Sequence, residues 1–241
     1  RKVIRKAFEV RNDRHAMNES NLRGILSTYS NTTRVSNFRP TAAKALYELF
    51  SKEKDVVLDF SAGYGGRFLG CLSLDRHFIG IDPCAEQIQG LKEMAAKLTK
   101  LKGIKASYEL IKDCAEEFMP TLPSKSMSLV FSSPPYFNHE RYSTESTQSY
   151  IKYPQYSQWL TSFLEKVLYE SYRLLKPNGY LLLNIANIKN YDLADDSLLI
   201  APKFFQLVKI LKLRLNYKPY LRTKNVNTFK YEPIFVYQKI S

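Results

Sequence analysis

Cysteine is scarce in this chain: the three present, Cys71, Cys84 and Cys114, are odd in number and far apart. That spacing offers neither a zinc pattern nor a disulfide framework, and it points to a reducing, intracellular setting. Histidine is as thin, with His15, His77 and His139 scattered, so no metal site is expected. There is no run of about 18 apolar residues and no signal-peptide pattern, which argues against a membrane partner or secretion. Internal repeats, a Walker glycine–lysine loop and a clear interdomain linker are all lacking. At 241 residues the chain is long enough for one well-packed domain. It opens on Arg1 rather than Met, which leaves room for an additional domain upstream of residue 1.

Acidic residues are lacking where basic ones gather. Of a net charge of +13, residues 1–36 carry +5 (8 − 3) and residues 203–241 carry +8 (9 − 1), so residues 37–202 are neutral (19 − 19). Excess basic charge confined to the two ends favours a polyanionic partner, nucleic acid above all.

Residues 1–36 read as a basic, irregular arm with one short helix around Glu19–Tyr29, and residues 37–241 as a single domain. From Pro40, Ala43, Leu46, Tyr47, Leu49 and Phe50 recur at helical spacing. Asp55–Phe60 then reads as a buried strand, followed by a glycine-rich turn at Ala62–Gly66 and a helix to about Leu74. His77–Ile81, Ser107–Ile111 and Ser128–Ser132 are three further strands, with a helix across Ala85–Leu101 after the first of them. A helical pattern over Trp159–Lys176 stops at Pro177-Asn178-Gly179, and Tyr180–Ile185 is a fifth strand. Pro202–Leu213 reads as a helix, and Leu215–Arg222 and Tyr231–Lys239 as a closing antiparallel pair. Alternating strands and helices imply a parallel sheet.

Four strand ends carry the polar residues. The first opens Asp59-Phe60-Ser61-Ala62-Gly63-Tyr64-Gly65-Gly66, where glycines permit a tight turn and close ligand approach. The second ends in Asp82, about 20 residues further on, a suitable offset for a carboxylate that grips ribose hydroxyls. Phe68 stands where a dinucleotide fingerprint wants its third glycine, which disfavours nicotinamide. The third strand ends in Asp113, and the fourth in Ser133-Pro134-Pro135-Tyr136. Two consecutive prolines cannot donate to a sheet and must end the strand. By itself that corner is either a rigid turn or a site, and in open α/β sheets ligands bind at such carboxyl ends.

On these residues the chain resembles the S-adenosylmethionine-dependent DNA amino-methyltransferases of the N4-cytosine and N6-adenine type. The resemblance runs from about Asn37 to Lys239. Asn37-Phe38-Arg39-Pro40 matches the family's opening motif, which places Phe38 and Pro40 beside the cofactor's methionine end. Asp59, Ser61, Gly63 and Gly65 fall in the cofactor loop, although family members often have Pro-Phe in place of Phe60-Ser61. The resemblance implies that Asp82 holds the ribose and Asp113 faces the adenine amino group of S-adenosyl-L-methionine. It also implies a Rossmann-like class I methyltransferase fold: α/β, a seven-stranded and mostly parallel sheet with an antiparallel C-terminal strand.

The implied chemistry uses Ser133, Pro134, Pro135 and Tyr136. An exocyclic amine on a base is a weak nucleophile because its lone pair is conjugated into the ring. Acceptance of both amine hydrogens, by the Ser133 side chain and the Pro134 carbonyl, would turn that lone pair towards the methyl carbon. Tyr136 would stack on the flipped base. In this family Ser at the first position mostly accompanies N4-cytosine methylation and Asp or Asn N6-adenine. The expected activity is therefore N4-cytosine methylation, with N6-adenine methylation or a silent nucleic-acid-binding module as alternatives. Pro83-Cys84 imitates the Pro-Cys pair of C5-cytosine enzymes but lies at the second strand end, where a structural cysteine is expected.

Three segments are candidates for DNA contact. They are the arm with Arg1, Lys2, Arg5, Lys6, Arg11 and Arg14, loop 138–158, and loop 222–230 with its neighbouring Arg222 and Lys224. In loop 138–158, Tyr142, Tyr150, Tyr153 and Tyr156 alternate with Arg141 and Lys152, which suits base stacking and phosphate contact. A lid packed over the cofactor, with its tyrosines half-buried, fits the same residues equally well.

Overall fold

A computed structural model describes residues 37–100, 104–139, 141–215 and 231–240. The arm 1–36 and its helix, most of the strand expected at Leu215–Arg222, and loop 222–230 lie outside the described residues.

The elements in chain order are α1 (Pro40–Phe50), β1 (Val56–Asp59), α2 (Gly66–Leu72), β2 (His77–Asp82), α3 (Ala85–Leu98), β3 (Ser107–Lys112), α4 (Ala115–Phe118) and β4 (Met127–Ser132). After β4 come α5 (Ser149–Lys152), α6 (Tyr156–Trp159), a wider helical turn at Leu160–Glu165, α7 (Lys166–Leu174), β5 (Leu175–Asn184), α8 (Leu193–Ile200), β6 (Gln206–Arg214) and β7 (Tyr231–Gln238). The seven strands form one sheet in the order β3-β2-β1-β4-β5-β7-β6. Strands β1 to β5 pair in parallel, and β7 runs antiparallel to both its neighbours. This is the α/β, mostly parallel, seven-stranded architecture that the resemblance implies.

The apolar runs are continuous because both faces of the sheet are covered. On one face Leu129, Phe131, Leu182 and Val236 pack with Tyr47, Phe68 and Leu91 of α1, α2 and α3. On the other, Val130, Leu181, Leu183 and Phe235 pack with Trp159, Leu164, Val167 and Leu193. The alternation along β4 and β5 therefore divides successive side chains between two apolar layers. Among the described residues no helix is long and apolar enough to cross a membrane.

Two expectations are corrected. The segment read as a helix over Pro202–Leu213 holds only a short turn at Ala201–Lys203, followed by β6. Leu207, Val208 and Leu211 recur at helical spacing, but Lys209, Leu211 and Leu213 also alternate, and antiparallel pairing with β7 selects the strand. The helix of this region comes earlier, at α8. Pro177-Asn178-Gly179, expected to end the helix, instead bulges from β5, where Asn178 has φ +62. The register between β4 and β5 steps from Met127↔Leu175 to Leu129↔Tyr180 around that bulge. The helix has already ended at Leu174.

Candidate functional site

The carboxyl ends of β1, β2, β3 and β4 lie along the same sheet edge, so the four polar strand ends found in the sequence share one rim. The loop after β1 is held from three sides. Gly63 and Gly65 take positive φ, +52 and +79. Gly63 N–H donates to Asp82 Oδ2 at 2.9 Å, and Ala62 N–H to the Ile81 carbonyl at 2.9 Å, which fastens the loop to the end of β2. Asn37 Oδ1 accepts from Gly66 N–H at 3.0 Å, supplying the helix cap that Gly65, lacking a side chain, cannot. A Cβ on Gly66 would stand 1.9 Å from the Phe38 carbonyl, so the Asn37–Phe38 segment lies directly on the start of α2.

Asp59 stands apart from the other predicted cofactor ligands. Its carboxylate is fully buried, and Arg67 grips it through Nε at 2.7 Å and Nη2 at 3.2 Å. Ser132 Oγ donates to it at 2.8 Å and Ser61 N–H at 3.2 Å. Arg67 also donates to the Ser61 carbonyl, and its guanidinium lies over both the Phe38 and the Phe131 ring. Burial works against the guanidinium's charge, but contact with Asp59 outweighs it and holds Arg67 more firmly protonated than usual. Asp59 therefore faces the inside of the loop. Phe38, packed edge-on against Phe131 at 5.2 Å, and Pro40, the first residue of α1, support the same wall. Sequence reasoning missed Arg67; an arginine one position after Gly66, on a helix whose other residues are apolar, was the available signal.

Asp82 accepts from Gly63 N–H through one oxygen and from Cys84 N–H through the other, the latter at 2.9 Å. Burial raises its pKa above the ordinary carboxylate value, and the two backbone donors offset that only partly. Asp113 is half-buried, with Oδ1 accepting from Cys114 N–H at 2.7 Å. Asp113, Cys114 and Glu117 lie near one another, but Glu117 is paired with Lys152. Cys84 and Cys114 are buried residues preceding α3 and α4. Burial pushes the Cys114 thiol up to about 11, so it is not an activated nucleophile.

At the fourth strand end two adjacent serines diverge. Ser132 is fully buried and bonded to Asp59, whereas Ser133 is half-buried and its hydroxyl has no partner among the described residues. Pro134 is buried, and Pro135 and Tyr136 are half-buried. The Tyr136 hydroxyl donates to Glu232 of β7. Phe137 follows with φ +50, an unfavourable conformation for a bulky residue, and its ring is buried among Tyr156, Trp159 and Tyr191. That packing clamps the corner from below. Neither Glu232 nor Phe137 was identified from sequence; Glu232 is far along the chain, and positive φ leaves no mark in a Phe.

Loop 138–158 turns out to be a packed cover over the ends of β2 and β3. Glu145 Oε1 accepts from Ala85 N–H at 3.2 Å, and Thr147 Oγ1 donates to the Pro83 carbonyl at 3.4 Å. Lys152 is paired with Glu116 and Glu117. Its burial disfavours the charge, but those two carboxylates prevail and raise its pKa. Tyr153 and Tyr156 donate to Glu116 and Asp196, and Tyr150 to the Ser143 carbonyl. Tyr142 meets the ring of Tyr64 from the glycine loop at 6.1 Å. Lys152 and the hydroxyls of Tyr150, Tyr153 and Tyr156 are thus bonded within the fold.

Residues 127–240 match the sequence model of the N6_N4_Mtase family, described as DNA methylase. No curated protein matches the chain. Among solved structures, a SAM-dependent O-methyltransferase of Thermotoga maritima is 12% identical, with a TM-score of 0.58 over 88% of this chain and 69% of the other. A SAM-dependent methyltransferase of Methanosarcina mazei is 15% identical, with a TM-score of 0.52 over 81% and 97%. A precorrin 8w decarboxylase of Methanobacterium thermoautotrophicum is 15% identical, with a TM-score of 0.55 over 86% and 94%. At such identities these likenesses establish the fold alone, and their varied chemistries show that the fold does not select the acceptor.

Proposed function

We infer, for a chain that belongs through residues 127–240 to the DNA methylase family, that it transfers a methyl group from S-adenosyl-L-methionine to the N4 amine of a flipped cytosine in DNA. The observation that carries this reading is the Ser133–Tyr136 corner, a stiff turn whose serine hydroxyl has no partner among the described residues, on the same rim as the glycine loop and Asp82.

The residues suit the cofactor. Around Gly63 a would-be Cβ has only the Ser61 carbonyl within 4 Å, at 3.8 Å, so the backbone there is open to a close ligand. Asp82 and Asp113 are acceptors suited to ribose hydroxyls and an adenine amine, and Phe38 offers an apolar wall. Bound there, S-adenosyl-L-methionine supplies an electrophilic methyl carbon on a sulfonium. The protein's share is orientation. Ser133 Oγ and the Pro134 carbonyl accept the two amine hydrogens and draw the nitrogen out of conjugation. Pro134, Pro135 and the clamped Phe137 keep those acceptors still, and Tyr136 stacks on the extruded base. The basic ends of the chain supply phosphate contacts that add affinity without choosing sequence.

The test is duplex DNA incubated with labelled cofactor and digested to nucleosides. N4-methylcytosine is the expected product. N6-methyladenine would move the reading to the adenine branch, and 5-methylcytosine, or label in RNA or protein alone, would overturn it. Ser133→Ala should lower transfer by about 10²-fold or more, the scale of losing one oriented polar group at a reacting centre, with cofactor affinity unchanged.

A further inference from the structure

Residues 203–241 contain nine basic side chains and one acidic one, Glu232. Among the described residues that carboxylate forms no ion pair; its partner is the Tyr136 hydroxyl. The lone negative charge of a strongly basic segment is thus directed at the catalytic corner.

The acceptor is tied to the sheet. Ser132, at the end of β4, is in register with Leu183, and Asn184, next on β5, is in register with Ile234 of β7. Asn184 is 2% exposed and donates to the Pro233 carbonyl at 3.0 Å, so the residue after Glu232 is pinned to the end of β5. Glu232 itself is paired with Leu213 across β6. A closed path therefore runs from Ser132 across β5 to Glu232, through the Tyr136 hydroxyl, and back along the Pro-Pro corner. A tyrosine held only at its backbone can turn its ring about the Cα–Cβ and Cβ–Cγ bonds. Attached at the hydroxyl as well, the ring has one orientation.

We propose that Glu232 is a positioning residue for methyl transfer, holding the Tyr136 ring in its base-stacking orientation before the target base arrives. This rests on the reading of Ser133–Tyr136 as the base-binding corner. Fixing the ring in advance removes an ordering cost from base capture and keeps the amine within reach of Ser133 and Pro134. Glu232 also links the catalytic corner to β7.

The experiment compares Glu232→Ala, Glu232→Gln, Tyr136→Phe and the Tyr136→Phe/Glu232→Ala double variant in single-turnover transfer to duplex DNA, with cofactor affinity measured separately. Glu232→Ala and Tyr136→Phe should each slow transfer about tenfold, with cofactor affinity unchanged, and the double variant should be no slower than the slower single. Glu232→Gln, which keeps an acceptor oxygen, should recover most of the rate. A Glu232→Ala rate equal to the parent's, or multiplicative losses in the double variant, would overturn the proposal. If Glu232→Ala does not fold, Glu232→Gln and Tyr136→Phe still decide, because a Gln as slow as the Phe variant would also refute it. A chain that methylates no DNA base defeats the reading of the site instead. In that case fluorine NMR of fluorotyrosine-labelled protein decides the positioning claim: one Tyr136 environment in the parent and exchange-broadened signals in Tyr136-tether variants support it, and identical spectra reject it.

Discussion

Arg67→Met is the most informative perturbation of the cofactor rim. The guanidinium holds a carboxylate that is 0% exposed, through contacts of 2.7 and 3.2 Å, and its own side chain is 7% exposed. Without it, Asp59 retains only the Ser132 hydroxyl and the Ser61 N–H. Removing one partner of such a buried pair costs about 3–5 kcal/mol, because the remaining charge is uncompensated. Against a total stability of about 5–15 kcal/mol this is a large fraction. With a urea slope near 3 kcal/mol/M, the upper end for small proteins, the midpoint should fall by about 1–1.7 M. Asp59→Asn added to Arg67→Met removes the stranded charge and still offers an acceptor to Ser132, so more than half of the lost stability should return. Cofactor affinity should not return, since the Ser61 carbonyl still lacks its anchor. Urea unfolding followed by circular dichroism, with calorimetric titration of S-adenosyl-L-methionine, measures both. A single variant as stable as the parent, or a double variant no better than the single, would refute the claim that an uncompensated charge is the origin of the loss.

Three further outcomes are expected. Gly66→Ala drives a Cβ to 1.9 Å from the Phe38 carbonyl and 2.5 Å from Asn37 Oδ1; overpacking of about 1–3 kcal/mol should lower Tm and weaken cofactor binding together, as calorimetry of both would show. Burial raises the pKa of Asp82, so the unliganded fold holds that proton more tightly than the unfolded chain does. Its stabilising effect is present at low pH and lost as pH rises through the raised value. In its proposed role Asp82 would accept from ribose hydroxyls in its ionised form, so cofactor affinity should fall as pH drops through a value above about 4; titrations between pH 4 and 8 should show that step, and Asp82→Asn should abolish it. Burial pushes the thiols of Cys71 up to about 12 and of Cys114 up to about 11, so iodoacetamide at pH 8 should label both slowly in the folded protein and quickly after denaturation, read by mass spectrometry.

The strands that bear the site were legible because each is a short apolar run closed by a polar or proline residue, and burial on both faces leaves that pattern nearly unbroken. Asp59, Asp82, Asp113 and Ser133 stood out for the same reason: each is the polar residue that closes an apolar strand, the first two as its last residue and the other two as the next one. The β6 segment was misread because nine residues with apolar positions spaced both two and three or four apart satisfy either period. Only pairing with β7 separates them. Loop 138–158 was ambiguous because tyrosines and cations can serve DNA or pack as a lid, and the choice depends on Glu116, Glu117 and Asp196, remote in sequence.

What the sequence determined by itself was the first five strands and the turns after them, the polar residues that close those strands and the charge confined to the chain's ends, all of which follow from local periodicity and composition. Tertiary structure decided what each of those residues bonds to. Asp59 and Asp82 both end strands, yet the first is closed off by Arg67 and Ser132 while the second bridges the glycine loop to β2. Ser132 and Ser133 are neighbours, yet the strand's alternation gives one hydroxyl to a buried carboxylate and leaves the other at the corner with no partner among the described residues. Tyr136 and Glu232 meet across 96 residues of chain. Such partnerships depend on where a neighbouring strand places its side chains, which no local pattern records.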